Sequence, residues 1–137
     1  MKNLKITLPN NWMDISDEND NSSTYINNEI EESGVLQLSF TEYVSGEIPN
    51  PSKENLVNLS NSLALSNDCK ITKNESGECE YGTYGYVEAK SEKIPFISIW
   101  HISDSKNFIL ATYIFSGKPI ISEIEITYNL LKGIRKK

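Results

Sequence analysis

Two neighbouring apolar segments constrain the fold more than any other feature of this chain. In residues 96–102, both faces of an extended chain would carry bulky side chains. These are Phe96, Trp100 and Ile102 on one face, and Ile97, Ile99 and His101 on the other. Such a strand has to lie inside a sheet that is covered on both sides. A polar turn at residues 104–107 then leads into a second apolar strand, residues 108–115, so the pair predicts a central hairpin.

Shorter alternating segments in the first third of the chain predict outer strands. Residues 4–8 have the period of two of a half-buried strand, and Pro9 ends it. We expect Trp12 to fold back as an anchor in the core or at its rim. Residues 25–28 predict a short strand, and residues 35–44 predict a longer one. The longer strand would point Leu36, Leu38, Phe40 and Val44 to one face, and Gln37, Ser39, Thr41 and Tyr43 to the other.

A second strand pair and a helix are predicted in the middle of the chain. Residues 69–73 and 79–90 have strand composition and flank a turn predicted at residues 74–77. Before them, Ser52 is a natural N-cap of a helix that should end near residues 66–67. The inward stripe of this helix would consist of Leu56, Leu59, Leu63 and Ala64.

The chain closes with a second predicted helix whose start has two alternatives. Either Pro119 is the first helical residue, or Ser122 and Glu125 form a capping box. Gly133 is the predicted end, and the basic residues after it suit the negative end of the helix dipole. The inward stripe would be Ile124, Thr127, Tyr128 and Leu131, and the staple around the capping box would be Ile121 and Ile126.

The order of these elements predicts an α+β fold. It consists of a mainly antiparallel sheet of about six to seven strands with two helices packed on it. We find no internal repeat and no linker that would separate two domains, so residues 1–137 are expected to form a single domain.

Charge excludes several classes of function. The chain carries 19 acidic and 13 basic residues, and Arg135 is its only arginine, which argues against general nucleic-acid binding.

Cys69, Cys79 and His101 are too few to form a usual structural zinc site, and we predict no metal or other cofactor. The start of the chain lacks the apolar run of a signal peptide, and the longest apolar stretch is too short to span a bilayer. We therefore expect a cytoplasmic protein without a membrane partner.

The most unusual local sequence is the tyrosine- and glycine-rich run at residues 81–86. Alternation places Tyr84, Tyr86 and Glu88 on one face of a strand. The glycines would leave room for a ligand or for the backbone of a partner, and tyrosine is a residue that binding surfaces favour. The alternative is that the tyrosines pack over glycines within a twisted strand.

The segment between Ile6 and Ser52 has nine acidic residues and no lysine or arginine. One interpretation is a solvated acidic loop that maintains solubility. The other is an acidic patch that steers a basic protein partner, since complementary potentials raise association rates. The candidate binding residues are therefore Tyr84, Tyr86, Glu88, Tyr43, Asp14, Asp17, Glu18 and Asp20.

Several of these segments resemble the PsbP-like family. The residues that carry the resemblance are Leu8-Pro9-Asn10-Asn11-Trp12, residues 34–39, the helix after Pro51, the Trp100 strand, Ala111-Thr112-Tyr113 and the terminal helix. The resemblance implies a PsbP-like fold over nearly the whole chain, and a non-catalytic binding module. Members of the family include a photosystem subunit, a Ran-binding import factor and bacterial adaptor chaperones for secreted toxins. No shared active-site motif can be carried over to this chain.

Three hypotheses of function follow. The first is a bacterial cytoplasmic protein that binds another protein, for example as an immunity or adaptor protein for a secreted toxin. The second is a small-ligand-binding domain, with an apolar pocket between sheet and helix and with Trp12, Tyr84, Tyr86 or Trp100 as walls. The third is an enzyme in which His101 activates a cysteine thiolate, which requires the two side chains to lie within hydrogen-bond reach.

Overall fold

The computed structural model describes residues 4–17 and 21–137 of the chain. Within these residues, a seven-stranded antiparallel sheet forms the centre of the fold, and two very short strands from the chain ends form a second sheet. The helices are α1 (Lys53–Ser66) and α2 (Ile121–Lys132). The strands are β1 (Leu4–Lys5), β2 (Trp12–Asp14), β3 (Ser22–Asn27), β4 (Val35–Thr41), β5 (Lys70–Glu78), β6 (Thr83–Lys90), β7 (Phe96–Ser103), β8 (Phe108–Phe115) and β9 (Arg135–Lys136).

The order across the large sheet is β2-β3-β4-β8-β7-β6-β5. The hairpin of β7 and β8 lies inside this sheet, as its two-sided apolar sequence predicts, and Ile99 and Trp100 on opposite faces of β7 are both fully buried. The predicted α+β class is confirmed, since the described residues form a mainly antiparallel sheet with two helices. None of the helices in the described part of the chain is long and apolar enough to cross a membrane.

One face of the sheet carries the aromatic core and packs against α2. Trp100 lies 5.2 Å from Tyr128 of α2, measured between ring centroids, and Trp12 stacks on Tyr113 at 6.0 Å. Trp12 is 7% exposed, which confirms its role as an anchor of the core. Buried Glu123 holds the start of α2 against this face. Its carboxylate accepts hydrogen bonds from Asn27 Nδ2 at 3.1 Å and from the Tyr113 hydroxyl at 3.3 Å.

The other face packs against α1, which covers mainly β5, β6 and β7. Ser52 caps α1 as predicted, through a capping box with Asn55. Under the helix, a second apolar cluster contains Ala64, Cys69, Val87, Ala89, Ile97 and Ile99. The predicted inward stripe is wrong at Leu59, which is 45% exposed, because Leu56, Ser60 and Ala64 are the residues that face the sheet. The helix lies close to the sheet, and two of these three side chains, Ser60 and Ala64, are small.

The turn predicted at residues 74–77 is wrong. Strand β5 continues through these residues, and the chain reverses at residues 79–82, where the Cys79 amide donates to the Gly82 carbonyl at 2.8 Å. The polar sequence is compatible with a strand here because β5 is an edge strand, so its side chains remain largely solvated.

Other element ends also differ from the predictions. The first strand consists of Leu4–Lys5 alone, and β4 ends at Thr41, so Val44 lies beyond it and is 87% exposed. Neither predicted start of the last helix is observed, because α2 begins at Ile121 with Ile120 as an N-cap that lacks a side-chain hydrogen bond. Ile121 is exposed and forms no staple, whereas the helix ends at Gly133 as predicted.

Candidate functional site

The rings of Tyr84 and Tyr86 belong to the aromatic core. Their exposed fractions are 3% and 1%, and their ring centroids lie 5.1 Å and 4.6 Å from that of Trp100. The expectation that these two rings form an exposed contact surface is therefore wrong. The room left by Gly85 is filled by the chain itself, because a Cβ atom at this position would lie 2.2 Å from the backbone nitrogen of Val57 in α1.

The hydroxyl groups of the same tyrosines point to carboxylates. Tyr84 donates a hydrogen bond of 2.9 Å to Glu75 Oε2, Tyr128 donates to the same oxygen, and Tyr86 donates to Glu88 Oε2. Burial, together with these acceptors, raises the pKa of both Tyr84 and Tyr86, so both hydroxyls keep their protons. Burial acts to raise the pKa of Glu75, but the hydrogen bonds from Tyr128 and Tyr84, together with the nearby charges of Lys73 and Lys132, outweigh burial, so the pKa of Glu75 is lowered.

These groups border an open groove between α2 and the strands β5 and β6, which we call the tyrosine groove. Its volume is about 290 Å³. Of the four predicted pocket walls, only Tyr86 lines this groove, and its lining combines charged and apolar side chains, whereas an apolar pocket was expected. It is lined by Lys73, Glu75, Tyr86, Glu88, Ile124, Glu125, Tyr128 and Asn129. Carboxylates beside phenol rings suit a small polar or cationic ligand.

The acidic candidates lie at the opposite edge of the sheet. Asp14 and Asp17 are exposed, and a hydrogen bond from Ser16 lowers the pKa of Asp14. Glu18 and Asp20 lie outside the described residues. Because β2 and β6 are five strand spacings apart, Asp14 is about 24 Å from the strand that carries Tyr86. The structure therefore does not combine the tyrosines and these carboxylates into one site.

Tyr43 lies in the loop between β4 and α1. Its backbone amide donates to Asn107 Oδ1 at 2.7 Å, and its hydroxyl donates to the Gly46 carbonyl. The ring is half-buried, so part of its surface stays accessible at the end of the sheet. As binding residues, Tyr43, Asp14 and Asp17 stay predictions.

A surface that the candidate list did not include lies beside α1. The helix covers only half of its sheet face and leaves β8, β4 and β3 accessible. Residues opposite one another in the ladder share a face, as Thr24, Gln37 and Thr112 do. We call this surface the open face; it consists of Thr24, Ile26, Val35, Gln37, Ser39, Leu110, Thr112 and Ile114.

The open face has no charged side chain among its eight residues, although 23% of the whole chain is charged. All eight side chains are exposed or partly exposed. A usual solvated sheet face would carry lysine or glutamate at some of these positions. The sequence held a signal for this surface, since the side of β4 that faces away from the core is polar but uncharged.

His101 lies under α1 and is bound to that helix. Its Nδ1 atom shares a hydrogen bond of 2.7 Å with Ser60 Oγ, and burial lowers the pKa of the imidazole to about 4, so it is neutral near pH 7. Cys79 packs against the cluster on the opposite sheet face, and the thiol of Cys69 faces the Asn67 carbonyl at 3.6 Å. Both cysteines are free. Among the residues whose positions are described, no group of three His, Cys, Asp or Glu side chains is placed to hold a metal ion.

This element order, this sheet order and the helix on each sheet face are those of a PsbP-like fold, and solved structures with that fold superpose on the chain. The solution structure of the cyanobacterial PsbP protein (CyanoP) from Synechocystis sp. PCC 6803 superposes with a TM-score of 0.65 at 7% identity, covering 100% of this chain and 94% of that one. The Ran-binding protein Mog1p of Saccharomyces cerevisiae superposes with a TM-score of 0.57 at 15% identity, covering 94% and 85%.

A third similar structure, from Bacteroides thetaiotaomicron, has a TM-score of 0.54 at 11% identity. The match covers 98% of this chain but only 45% of that longer chain. No protein-family model and no curated protein sequence matches the chain. At identities this low, the likeness shows the fold, and the chain has the PsbP-like fold that its sequence predicts.

Proposed function

We propose that this protein is a non-catalytic protein-binding module and that the open face is its contact surface. The observation that carries the proposal is an accessible sheet face, three strands wide, without a charged side chain. Depletion of charge is the compositional mark of the centre of a protein interface. The position of the Ser60–His101 pair supports the non-catalytic part, since the Ser60 hydroxyl is fully buried between α1 and the sheet and is therefore closed to a substrate.

Acidic residues at the two ends of the open face extend this proposal to a basic partner. Glu29, Glu31 and Glu32 lie in the connection from β3 to β4, and Asp17 and Glu42 lie at the other end of these strands. Charges at the rim of an interface mainly raise the association rate and orient the partner. We therefore expect the affinity to fall steeply between low and moderate salt, and an affinity indifferent to salt would refute charge steering.

The fold neighbours are compatible with such a role. Mog1p, which shares the fold, is described as a Ran-binding protein, so at least one protein with this architecture has a protein partner. We further propose that the module acts in a bacterial cytoplasm as an immunity or adaptor protein for a secreted toxin. A toxin gene adjacent to the gene of this protein, whose toxicity co-expression suppresses, would support this role; an adjacent toxin that co-expression leaves fully active would contradict it.

The contact surface can be tested with a matched pair of charge insertions. Gln37→Lys places a positive charge at the centre of the open face, whereas Asn58→Lys places the same charge on the exposed outer side of α1. Affinity capture from a lysate of the source organism, read out by mass spectrometry, should recover a partner with the natural protein and with Asn58→Lys, but not with Gln37→Lys. Equal recovery by both variants would show that the open face is not the contact surface.

The tyrosine groove supports a second candidate function, the binding of a small polar or cationic ligand. The supporting observation is its volume of about 290 Å³ beside two tyrosine hydroxyls and three carboxylates. A panel of amines and amino acids, screened by thermal shift, should contain a stabilising compound whose effect is lost in Glu88→Gln. The absence of any compound with this behaviour would count against the groove as a ligand site.

A further inference from the structure

The flank of α1 that borders the open face is apolar and partly unpacked. Val57 lines a cleft between α1 and β5 together with Asn74 and Ser76, so this side of the helix faces the β5 edge. Leu59 is two residues further along, about 200° around the helix, and thus on the flank toward β8. Leu63 on the same flank packs against the cluster beneath the helix, while Leu59 remains 45% exposed.

The helix flank and the sheet form a corner. Its wall consists of Leu59 and Leu63, and its floor is the open face, whose nearest residues Leu110 and Ile114 pack against the same cluster as Leu63. The floor spans β8, β4 and β3, which is about 10 Å between the outer strand axes. An α-helix is about 10–12 Å in diameter with its side chains, so the corner has the width for one helix beside α1.

Two other occupants fit this surface less well. A strand that extended the sheet on the side of the open face would have to pair with the edge strand β2, which offers only three residues, Trp12–Asp14, as a template; the other edge strand, β5, lies beyond α1. A second copy of this chain, related by a twofold axis, would bring acidic rims against each other. Within the described residues, both rims have more acidic than basic side chains. The rim at the β3–β4 connection has three glutamates and one lysine, namely Glu29, Glu31, Glu32 and Lys118. The other rim has Asp17, Glu42 and Lys106.

We propose that the corner is the binding site for an amphipathic helix of the protein partner. The helix would lie beside α1, with an apolar stripe facing Leu59, Val35 and Ile114, and with lysine or arginine residues near its two ends. A partner helix about as long as α1, which has 14 residues, would cover the open face along α1. This inference rests on the proposed function, because it names the kind of partner that the open face binds.

The inference can be tested with model peptides of 18 residues made of leucine, alanine and lysine. One peptide has leucines on a single helical stripe, and its isomer has the same composition without a stripe. Fluorescence anisotropy should show that the striped peptide binds at least tenfold more tightly than its isomer. Leu59→Gln should weaken binding about five- to tenfold, because it removes part of a buried leucine contact.

Leu65→Gln is the matched control, since Leu65 is also exposed on α1, at 60%, but lies on the outer side of the helix. It should change the affinity less than twofold. Amide chemical-shift changes on adding the striped peptide should cluster at Leu59, Gln37 and Thr112. Equal affinity of the two peptides, equal effects of the two leucine variants, or shift changes centred on the tyrosine groove would each overturn the inference.

The proposed function and this inference fail separately. If Gln37→Lys abolishes partner capture while the striped peptide binds no better than its isomer, the open face is a contact surface for an occupant other than a helix. In that case the inference is overturned and the proposed function stands. If Gln37→Lys leaves both the capture and the peptide affinity unchanged, both are overturned.

Discussion

Gly85→Ala is the substitution whose effect the structure defines most directly. Gly85 lies in β6 directly beneath α1, with a backbone conformation that alanine can adopt. An added Cβ atom would lie 2.2 Å from the nitrogen of Val57, 2.3 Å from the carbonyl carbon of Leu56 and 2.7 Å from its oxygen. All three atoms are helix backbone, so no side-chain rotation relieves the contact. The helix has to move away from the sheet by about 1 Å to restore ordinary van der Waals distances.

That displacement opens a gap over the cluster that α1 covers, where Val87 and Ile99 are fully buried. A radial gap of about 1 Å forfeits up to half of the dispersion energy of the atoms that line it. Overpacking of this kind costs about 1–3 kcal/mol, and because the contacts are with backbone atoms, we expect Gly85→Ala to cost about 3 kcal/mol. With an unfolding entropy of about 2.1 cal/mol/K per residue, the loss corresponds to a fall in Tm of about 10 °C.

Urea unfolding followed by tryptophan fluorescence can measure this loss, because Trp100 is fully buried. Gly133→Ala is the matched control. Its added Cβ would meet Asn129 O at 3.5 Å and Leu130 O at 3.6 Å, which are ordinary contacts, so stability should change by less than about 1 kcal/mol. If Gly85→Ala and Gly133→Ala have equal free energies of unfolding, the close approach of α1 to the sheet is refuted.

Three further predictions concern buried groups. Burial lowers the pKa of His101 from 6.5 to about 4, so the imidazole of the unfolded chain is protonated at a higher pH than that of the folded chain. As the pH falls from 7 to 4, the free energy of unfolding should therefore decrease by up to about 3 kcal/mol. Urea unfolding at a series of pH values should show a smaller decrease for His101→Gln. Glu123→Ala leaves two buried donors unpaired and should cost about 2 kcal/mol or more, against about 0.5 kcal/mol for exposed Glu125→Ala. Thiol reagents should modify half-buried Cys79 before buried Cys69, and equal rates would contradict the burial of Cys69.

The tyrosine- and glycine-rich run at residues 81–86 shows which structural features a local sequence pattern can predict and which it cannot. The sequence indicated that something approaches the backbone at this run, and Gly85 does allow a close approach. The neighbour is α1 of the same chain, so a pattern that favoured a partner's backbone served internal packing. Likewise, the carboxylate of Glu75 lies 2.9 Å from the Tyr84 hydroxyl only because β5 continues through the residues predicted to turn.

At the open face, the local pattern correctly predicted which residues share a side of the strand, but it did not predict whether that side is covered. The alternation of β4 separated Leu36 and Leu38 from Gln37 and Ser39 correctly. Whether the second set lies under a helix or in solvent depends on where α1 crosses the sheet. The exposure of Leu59 depends on the same placement, so the corner at α1 was not visible in the helix spacing.

The sequence alone determined the centre of this protein, because side chains on both faces of residues 96–102 require burial wherever the segment is placed, and periodicity records that requirement residue by residue. It also determined the strands around Leu38 and Tyr113 and both helices. Only the tertiary structure decided which half of the sheet α1 covers, and hence which uncharged residues stay accessible. Coverage depends on contacts between segments far apart in the chain, which a local period does not encode.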